Sequence, residues 1–399
     1  MRIAHLIHTF PPAVHGGGEL FVYELSRRLA GKGHQVIVTT RGFETLPEKE
    51  RTEDFYIERY KNPAPETWKY HPIAKMNVPW YGKYSVLSLD VIYSVRYLSS
   101  LVREKKLDLV HASFIVPSGF SGAIVKSFTG TPLVITIHGN ADFYEVPKIL
   151  YPMLRYSANN ADMLVAVGYE LKRNLLKELG DYDIRVIPNG VDVEKYRPDR
   201  TIRDETRRKQ GITRKAPILL SISRLVERKN IDLVLRAVPY IIQRLPDFKF
   251  LIVGEGPEYR RLRSITQELQ IESAVIFTGF VPEEEKTRIY LSSDAFIQLS
   301  SREGLSISLL ESKAAGLPAI VSDSKGTREP VKENESGKIV SDPKNPIGVA
   351  EKVIELLTDR RNRKRLGENA RREAEENYSL EAMTSRYIEV YKEVLASTS

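Results

Sequence analysis

Residues 3–19 read Ile-Ala-His-Leu-Ile-His-Thr-Phe-Pro-Pro-Ala-Val-His-Gly-Gly-Gly-Glu, an apolar run followed by a turn that contains three consecutive glycines. The run has the length of a buried strand, and a helix is expected to begin near Leu20. Because glycine has no Cβ, a turn formed by Gly16, Gly17 and Gly18 lets backbone amides come close to a phosphate group. The stretch predicts a strand, a turn and a helix, with the turn either binding phosphate or serving as a tight connector.

Short apolar runs alternate with amphipathic helical segments along the whole chain. Runs of this length separated by helices predict parallel sheets covered on both faces. The turn-rich stretch 188–192 divides them into two series, so the fold class is α/β with two Rossmann-like domains, 1–188 and 189–379, and a ligand cleft between the carboxyl ends of their strands. The predicted strands are 3–7, 35–39, 109–111, 133–137, 163–167, 184–187, 218–222, 250–253, 275–278, 295–299 and 319–321.

Composition narrows the class of protein. The 399 residues suffice for two domains, cysteine is absent, and no apolar stretch approaches the roughly 20 residues that cross a bilayer. A cytoplasmic location follows as an expectation. The net charge of +8 is not concentrated in one half, and no nucleic-acid-binding motif accompanies it. The densest basic run, 360–365, is predicted to lie on the solvated face of a helix.

A pair of glutamates with seven residues between them, Glu303 and Glu311, precedes the turn Gly316-Leu317-Pro318. If Glu303 lies just before a helix and Glu311 within it, both carboxylates can address one elongated ligand. Carboxylates accept hydrogen bonds from sugar hydroxyls, and the backbone N–H groups at the helix N-terminus can receive a phosphate; these belong to Leu305, Ser306 and Ile307. Two solvated glutamates on a polar helix face remain the alternative.

Other predicted strand ends carry polar groups. His138, followed by Gly139, stands at the tip of the strand 133–137, where α/β enzymes keep functional groups. Arg224 and Lys229 stand where another strand turns into a helix, and two cations there can hold a diphosphate. Further glycine turns follow the strands that end at Val253 and Thr278.

Taken together, these motifs resemble the retaining glycosyltransferases of family 4, which have the GT-B fold of two facing Rossmann-like domains. The resemblance covers nearly the whole chain. It implies that the first domain faces the acceptor, that the second binds a nucleotide-sugar donor, and that a final helix of about 380–396 returns to the first domain. The motifs are Gly16-Gly17-Gly18-Glu19, His138-Gly139, Pro188-Asn189-Gly190-Val191-Asp192, Ser223-Arg224-Leu225 with Lys229-Asn230, Gly254-Glu255-Gly256-Pro257, Glu303 to Glu311 and Gly316-Leu317-Pro318.

The resemblance also implies roles for single residues. Glu303 would contact hydroxyls of the donor sugar, and Glu311 would hold the nucleotide ribose. Arg224 and Lys229 would neutralise the diphosphate as the glycosidic bond breaks. The remaining implied contacts are His138 with a sugar hydroxyl near the reacting carbon, Gly17 near the phosphates and acceptor, and the backbone of Phe280 and Val281 with the base.

Two departures leave the donor open. The family often has glycine where Ser306 stands, and often a pair of glycines where Lys325-Gly326 stands. The implied reaction is a same-face displacement in which the departing phosphate helps to deprotonate the acceptor. No metal is expected to be required, because the acidic pair of Asp181-Tyr182-Asp183 precedes a strand instead of ending one.

The acceptor is not defined by the sequence beyond a glycan, a lipid-linked sugar or a small molecule. The segment 64–97 is aromatic and basic, which suits stacking on sugar rings, contact with lipid headgroups at the inner face of a membrane, or ordinary packing. Two other functions stay open: a non-catalytic protein of the same fold that binds sugars or a membrane surface, and a nicotinamide-dependent oxidoreductase. The second should carry the G-x-G-x-x-G fingerprint, which is missing at the first glycine turn.

Overall fold

The computed structural model of the chain describes residues 1–12, 16–62, 80–139 and 148–398. The chain divides into two compact units, Met1–Asn189 with Leu380–Ser399, and Gly190–Ser379. Each unit has its own sheet and its own apolar core. Among the described residues, no helix is long and apolar enough to cross a membrane.

The first unit is built on an eight-stranded sheet with the order β3-β4-β2-β1-β5-β6-β7-β8. All neighbouring strands are parallel except β3 and β4. In the centre, Ile3 pairs with Val36 on one side and with Leu109 on the other. The strands are β1 Arg2–Leu6, β2 Gln35–Arg41, β3 Lys49–Arg51, β4 Tyr56–Tyr60, β5 Leu109–Ser113, β6 Leu133–Ile137, β7 Met163–Ala166 and β8 Ile184–Val186.

Among the described residues of this unit, six α-helices accompany the sheet. The first buries an apolar stripe formed by Phe21, Val22, Leu25 and Leu29, with the three- and four-residue spacing that places side chains on one helix face. The helices are α1 Gly17–Gly31, α2 Trp80–Lys105, α3 Phe120–Thr129, α4 Tyr151–Asn160, α5 Tyr169–Leu179 and, in the order of the chain, the last helix Leu380–Thr398.

The last helix belongs to the first unit and is held there by buried polar contacts. The Tyr391 hydroxyl lies 2.7 Å from Nδ1 of His111, and the Tyr387 hydroxyl lies 3.0 Å from Oγ1 of Thr136. Both tyrosines are fully buried, and their rings pack on the His111 ring. A buried tyrosine holds a helix in place in two ways: its ring removes apolar surface from water, and its hydroxyl forms a hydrogen bond.

The second unit has a six-stranded, wholly parallel sheet with the order β11-β10-β9-β12-β13-β14. The central β9 pairs with β10 on one side, as Leu219 with Phe250, and with β12 on the other, as Leu219 with Ala295. The order of the chain therefore reverses between β9 and β12. The strands are β9 Ile218–Ile222, β10 Lys249–Val253, β11 Val275–Gly279, β12 Ala295–Gln298, β13 Ala319–Ser322 and β14 Gly337–Val340.

Eight α-helices complete the second unit, and the helix after β9 buries an apolar stripe. Its buried residues Val234, Leu235, Val238 and Ile241 join one core with Phe250 of the sheet. The helices are α6 Arg200–Lys209, α7 Ile231–Arg244, α8 Tyr259–Glu268, α9 Glu283–Ser292, α10 Ile307–Ala314, α11 Lys325–Arg328, α12 Pro346–Thr358 and α13 Arg360–Asn377, so that the chain's final helix is α14.

All eleven predicted strands are present, most within one or two residues of the expected ends. The sequence missed three strands, two of which, β3 and β4, carry charged or exposed residues such as Lys49 and Arg51. β3 is an edge strand, which needs no continuous apolar run because only part of its surface is buried. β4 lies between β3 and β2 and is largely buried, but its buried residues include Glu58 and Arg59, which interrupt the apolar run. Residues 64–79 of the aromatic and basic segment lie outside the described residues.

The contact between Tyr391 and His111 gives a test of how the last helix is held. We expect Tyr391→Phe to lower the free energy of unfolding by about 1 to 2 kcal/mol, because the buried His111 nitrogen loses its partner while the ring still fills its site. Tyr156→Phe, which changes a partly exposed tyrosine of the same unit, is the matched control. Denaturant midpoints that shift equally in both variants would contradict the anchoring role.

Candidate active site

In the second unit, the predicted site residues follow strands and so gather at one edge of the sheet. Because all six strands are parallel, the segments after their carboxyl ends lie on the same side. Arg224 and Lys229 follow β9, Phe280 and Val281 follow β11, and Glu303 follows β12. The edge includes the point between β9 and β12 where the strand order reverses, which is the usual ligand position in open α/β sheets.

The segments after β9 and β12 are fastened to each other at this reversal point. The backbone N–H of Ser301 donates to the Arg228 carbonyl at 2.9 Å, and the Asn230 side-chain amide donates to the Leu299 carbonyl at 2.8 Å. Between them, the Lys229 ammonium donates to Oε1 of Glu303. Both side chains are about nine-tenths buried, so this ion pair is poorly screened and fixes the Glu303 carboxylate firmly.

Gly326 keeps the family pattern at the second position of the Lys325-Gly326 pair. A Cβ at this position would lie 2.0 Å from the Glu303 carbonyl oxygen, so no larger residue fits without moving the Glu303 backbone. This close approach brings the start of α11 against the segment that carries Glu303. Glycine is therefore required at the second position of the Lys325-Gly326 pair.

The glutamate pair has the predicted relation to a helix. Glu303 precedes α10, Ser306 caps its N-terminus, and Glu311 lies within it. The first intrahelical bond runs from Leu310 to Ser306, so the amides at Ser306 and Ile307 precede the hydrogen-bonded turns and have no intrahelical acceptor. The partial positive charge of such a terminus favours an anion. The Ser306 hydroxyl serves the helix itself, since it accepts from the Leu309 amide and donates to Gln298.

Glu311 is buried, so it is not a solvated glutamate on a polar helix face. Its side chain is 5 % exposed and accepts from the Lys286 ammonium at 2.7 Å and the Tyr290 hydroxyl at 2.9 Å. Burial opposes the charge on Lys286, but Glu311 and Glu283 outweigh it and raise the pKa of that ammonium. The carboxylate is thus oriented by two residues of α9 that the sequence gave no reason to select.

The glycine turns place backbone against backbone. A Cβ on Gly254 would lie 2.1 Å from the Ser223 carbonyl oxygen, and one on Gly256 would lie 2.2 Å from that of Leu225. Gly254 also has a φ of +124°, which other residues rarely adopt. These turns fix the segment in which Arg224 lies. Beyond β11, Phe280 is 71 % exposed whereas Val281 is buried, so the two proposed base contacts differ in accessibility.

Arg224 and Lys229 do not form the equivalent pair that the sequence suggested. Lys229 is buried and bonded to Glu303, whereas Arg224 is exposed. Within the described ranges, the Arg224 guanidinium makes no hydrogen bond or ion pair. It is a cation available to a ligand, while the Lys229 ammonium has already given one of its three donors to Glu303.

In the first unit, the glycine turn is part of the helix and not a loop before it. The helix α1 begins at Gly17, not near Leu20, with Gly16 as its N-cap. The prediction of the helix start was wrong because glycine is a poor helix former in general but is acceptable in the first turn. The amides of Gly17 and Gly18 lie in that first turn, as a phosphate site would require.

His138 lies at the end of β6, close to the same glycine turn. Its Nε2 is 3.1 Å from the Ser113 hydroxyl, and its ring packs on Phe21 at 4.6 Å and Phe114 at 5.0 Å between centroids. Burial lowers the pKa of His138 to about 3, so the imidazole is neutral at physiological pH. The Phe114 ring also covers Gly18, where a Cβ would lie 2.4 Å from it, and so links the turn to His138.

Two families of sequences match the chain. Residues 202–373 match Glycosyl transferases group 1, and residues 15–195 match Glycosyltransferase Family 4. The chain belongs to the family 4 glycosyltransferases. It is a transferase, so neither the non-catalytic protein nor the nicotinamide-dependent oxidoreductase describes it.

Individual relatives of this glycosyltransferase are distant in sequence and align over most of the chain. The chain is 26% identical over 394 residues to the N-acetyl-alpha-D-glucosaminyl L-malate synthase of Bacillus anthracis, with 97% of this chain and 96% of that protein covered. It is 27% identical over 301 residues to a GDP-mannose-dependent alpha-(1-6)-phosphatidylinositol monomannoside mannosyltransferase of Mycolicibacterium smegmatis, with 73% and 78% covered.

Solved structures agree on the GT-B fold predicted from the sequence. The sucrose-phosphate synthase of Thermosynechococcus elongatus superposes with a TM-score of 0.82 at 20% identity, with 99% of each chain covered. Anabaena Alr3699/HepE in complex with UDP and glucose superposes with a TM-score of 0.78 at 17% identity, with 98% of this chain and 100% of that chain covered.

The contacts around Glu311 give a test of this glycosyltransferase's second unit. We expect Lys286→Met to destabilise the protein by about 2 to 4 kcal/mol, because it leaves a buried carboxylate without its counter-charge. The double variant Lys286→Met with Glu311→Gln should recover part of that loss, since the remaining amide carries no charge. Thermal and denaturant unfolding of both measure the difference, and equal stability of the single and double variants would contradict the pairing.

Proposed function

We propose that this glycosyltransferase moves a hexose from a nucleotide-diphosphate sugar to a hydroxyl group of its acceptor, with retention of configuration at the anomeric carbon. The observation that carries the proposal is the buried pair of Lys229 and Glu303 at the reversal point of the sheet, beside the N-terminus of α10. An ordered carboxylate suits sugar hydroxyls, and an ammonium with further donors beside amides that have no intrahelical acceptor suits phosphate.

Each site residue has a role in this proposal that its surroundings support. Glu303 accepts hydrogen bonds from donor-sugar hydroxyls, while Lys229 holds Glu303 with one donor and a phosphate oxygen with another. Arg224, exposed and unbonded among the described residues, reaches the diphosphate. Glu311 accepts from the ribose hydroxyls, and the backbone around Phe280 and Val281 meets the base. Further donor contacts come from the amides of Leu305, Ser306 and Ile307.

The first unit contributes the remaining groups. His138, neutral because burial lowers its pKa to about 3, donates or accepts a hydrogen bond at a sugar hydroxyl without adding a charge. The amides at Gly16, Gly17 and Gly18 receive a phosphate or the acceptor. A neutral imidazole is suitable here, because a cation beside the reacting carbon would oppose the positive charge that grows there in the transition state.

The proposed reaction breaks the bond between the anomeric carbon and the donor phosphate oxygen and forms a bond from that carbon to the acceptor oxygen on the same face. The bonding electrons leave with the diphosphate, and the acceptor proton passes to the departing phosphate oxygen. Arg224 and Lys229 stabilise the charge that accumulates on the leaving group. The proposal assigns no covalent intermediate and no required metal.

The proposal also covers the class of acceptor, the cellular location and the base of the donor. Relatives named for malate and for phosphatidylinositol mannoside acceptors indicate that small molecules and lipid-linked sugars are both used within the family. The chain would act in the cytoplasm, with peripheral contact of the first unit at the inner face of a membrane when the acceptor is lipid-linked. The donor base would be that of UDP, GDP or ADP, and the function would belong to glycan biosynthesis.

Calorimetric titration with UDP, GDP and ADP, followed by donor-hydrolysis and transfer assays with the sugar nucleotides of the tightest binder, tests the proposal. We expect Glu303→Gln to lose most transfer activity while it keeps nucleoside diphosphate affinity, because Glu303 contacts the sugar and not the nucleotide. Glu351→Gln, an exposed glutamate on α12, is the control. Turnover of Glu303→Gln at the unaltered rate, in protein that melts at the same temperature, would refute this role.

Arg224 and Lys229 are expected to act together on the leaving group. Arg224→Ala should reduce the catalytic rate by on the order of a hundredfold and weaken donor binding less. The reason is that the guanidinium stabilises the departing diphosphate, which gains negative charge in the transition state, more than it stabilises the bound donor. Lys229→Ala should do likewise, and the double variant should lose less than both losses combined. Arg236→Ala, an exposed arginine on α7, should have no effect. Strict additivity, or an effect on donor affinity alone, would place leaving-group stabilisation elsewhere.

A further inference from the structure

A second charged cavity lies at the opposite edge of the sheet from the candidate active site. It has a volume of about 940 Å³, and its wall includes residues that come just before strands: Pro217 before β9, Asp294 before β12 and Pro318 before β13. Strands of four or five residues separate the two edges by roughly 15 Å. The proposed reaction uses none of the residues of this cavity.

The wall of the cavity holds one buried carboxylate among three arginines. Oδ1 of Asp294 lies 2.7 Å from Arg203 and 3.6 Å from Arg363, and Oδ2 lies 2.7 Å from Arg207. The amide of Ile218 also donates to Oδ2, at 2.9 Å. Burial opposes the charge on Asp294, but the three arginines outweigh it and hold the pKa of that carboxyl below its usual range.

This cluster has more positive charge than its carboxylate can balance. Arginine stays protonated in proteins, so three guanidinium groups face a single negative charge. Burial lowers the pKa of both Arg207 and Arg363, although the nearby Asp294 carboxylate acts in the opposite direction. Buried charge without a counter-charge is costly, and an anion in the cavity would offset that cost.

The rim adds further cations. Arg200 at the start of α6, Lys215 before β9 and Arg360 at the start of α13 all line the cavity and are exposed. In the described part of the chain, none of these three side chains makes a hydrogen bond or an ion pair. Across the whole lining, nine arginines and lysines stand against four acidic residues, an excess of five positive charges.

The sequence suggested that the basic run 360–365 lies on a solvated helix face. In the structure, only part of the run does. Arg360, Arg363 and Lys364 line the cavity, and Arg363 is largely buried against Asp294. Arg361 is exposed and does not line the cavity. The run is thus divided between a binding surface and solvent.

We propose that this cavity is a second anion site, separate from the donor site, which binds a small molecule that carries two or more phosphate groups. Guanidinium groups pair with phosphate oxygens in a bidentate way and remain charged when water is excluded, which matches the arginine-rich lining. The volume is in the range of small-ligand sites. The excess of five charges favours a polyphosphorylated ligand over a single phosphate.

Titration calorimetry with inorganic pyrophosphate at constant ionic strength tests the site on the full chain. The triple variant Arg200→Gln, Lys215→Gln, Arg360→Gln removes the three unbonded rim cations without touching the buried cluster. The matched control, Arg208→Gln, Lys209→Gln, Arg361→Gln, removes the same charge from exposed positions of the same two helices, outside the lining. Arg224→Ala reports on pyrophosphate held at the other edge of the sheet.

We expect the rim triple variant to weaken pyrophosphate binding by about tenfold or more, while the control triple variant keeps it within the error of the measurement. Arg224→Ala should weaken only the pyrophosphate bound at the donor edge and leave the binding that depends on the rim cations in place. Inorganic phosphate should bind more weakly than pyrophosphate to the parent protein. Equal losses in the two triple variants would show diffuse attraction by net charge. Loss in Arg224→Ala alone would show that pyrophosphate binds only at the donor side. Either result, or no binding by the parent protein, overturns the proposal.

Discussion

The ion pair between Lys229 and Glu303 joins the segments that follow two adjacent parallel strands, and the geometry of the second unit's site depends on it. Parallel pairing of β9 with β12 brings the segments to the same edge, but it does not by itself decide where their side chains point. The two flanking bonds, from Ser301 to Arg228 and from Asn230 to Leu299, bring the segments close enough for the pair to form. Since both charges are largely buried, a change to one of them disturbs the other as well.

This pairing makes the two cations of the site unequal. A buried lysine whose charge is balanced by a carboxylate attracts a distant anion weakly, yet it can donate at short range to a phosphate placed beside it. An exposed and unbonded Arg224 attracts an anion from further away, although water and salt reduce that attraction. In the proposed reaction, Arg224 would therefore capture the charged donor and Lys229 would orient it, although both residues belong to the segment after β9.

The sequence was sufficient for the architecture because that architecture depends on patterns that are local in the chain. Buried parallel strands appear as continuous apolar runs, and the relation of Glu303 and Glu311 to a helix follows from their spacing. The residues that contact those side chains could not be predicted in this way. Lys286 and Tyr290 reach Glu311 from another helix, and Phe114 joins Gly18 to His138 across two loops. Such contacts depend on tertiary packing, and nothing in their local sequence distinguishes these residues from ordinary surface or core positions.

Tertiary packing also explains two differences from the prediction: the helix begins at Gly17, and the basic run 360–365 is divided between two environments. Three glycines in a row argue against a helix on propensity alone, but a helix end held by packing of Gly18 on Phe114 overrides that preference. In the basic run, neighbouring residues lie on different faces of the helix, so Arg363 is partly buried beside Asp294 while Arg361 is exposed. A count of charges along the sequence cannot separate these faces without knowing where the helix packs.

The parallel sheet also explains how one unit can carry two positive clusters. Asp294 accepts from the amide of Ile218, the first residue of β9, and Arg224 follows the last residue of the same strand. The roughly 15 Å between the two ends exceeds the Debye length of about 8 Å at physiological ionic strength, so through solvent the clusters repel each other little. The strand is hydrogen-bonded on both sides, which keeps that separation fixed. Each edge can therefore accumulate the cations that an anionic ligand needs without destabilising the other.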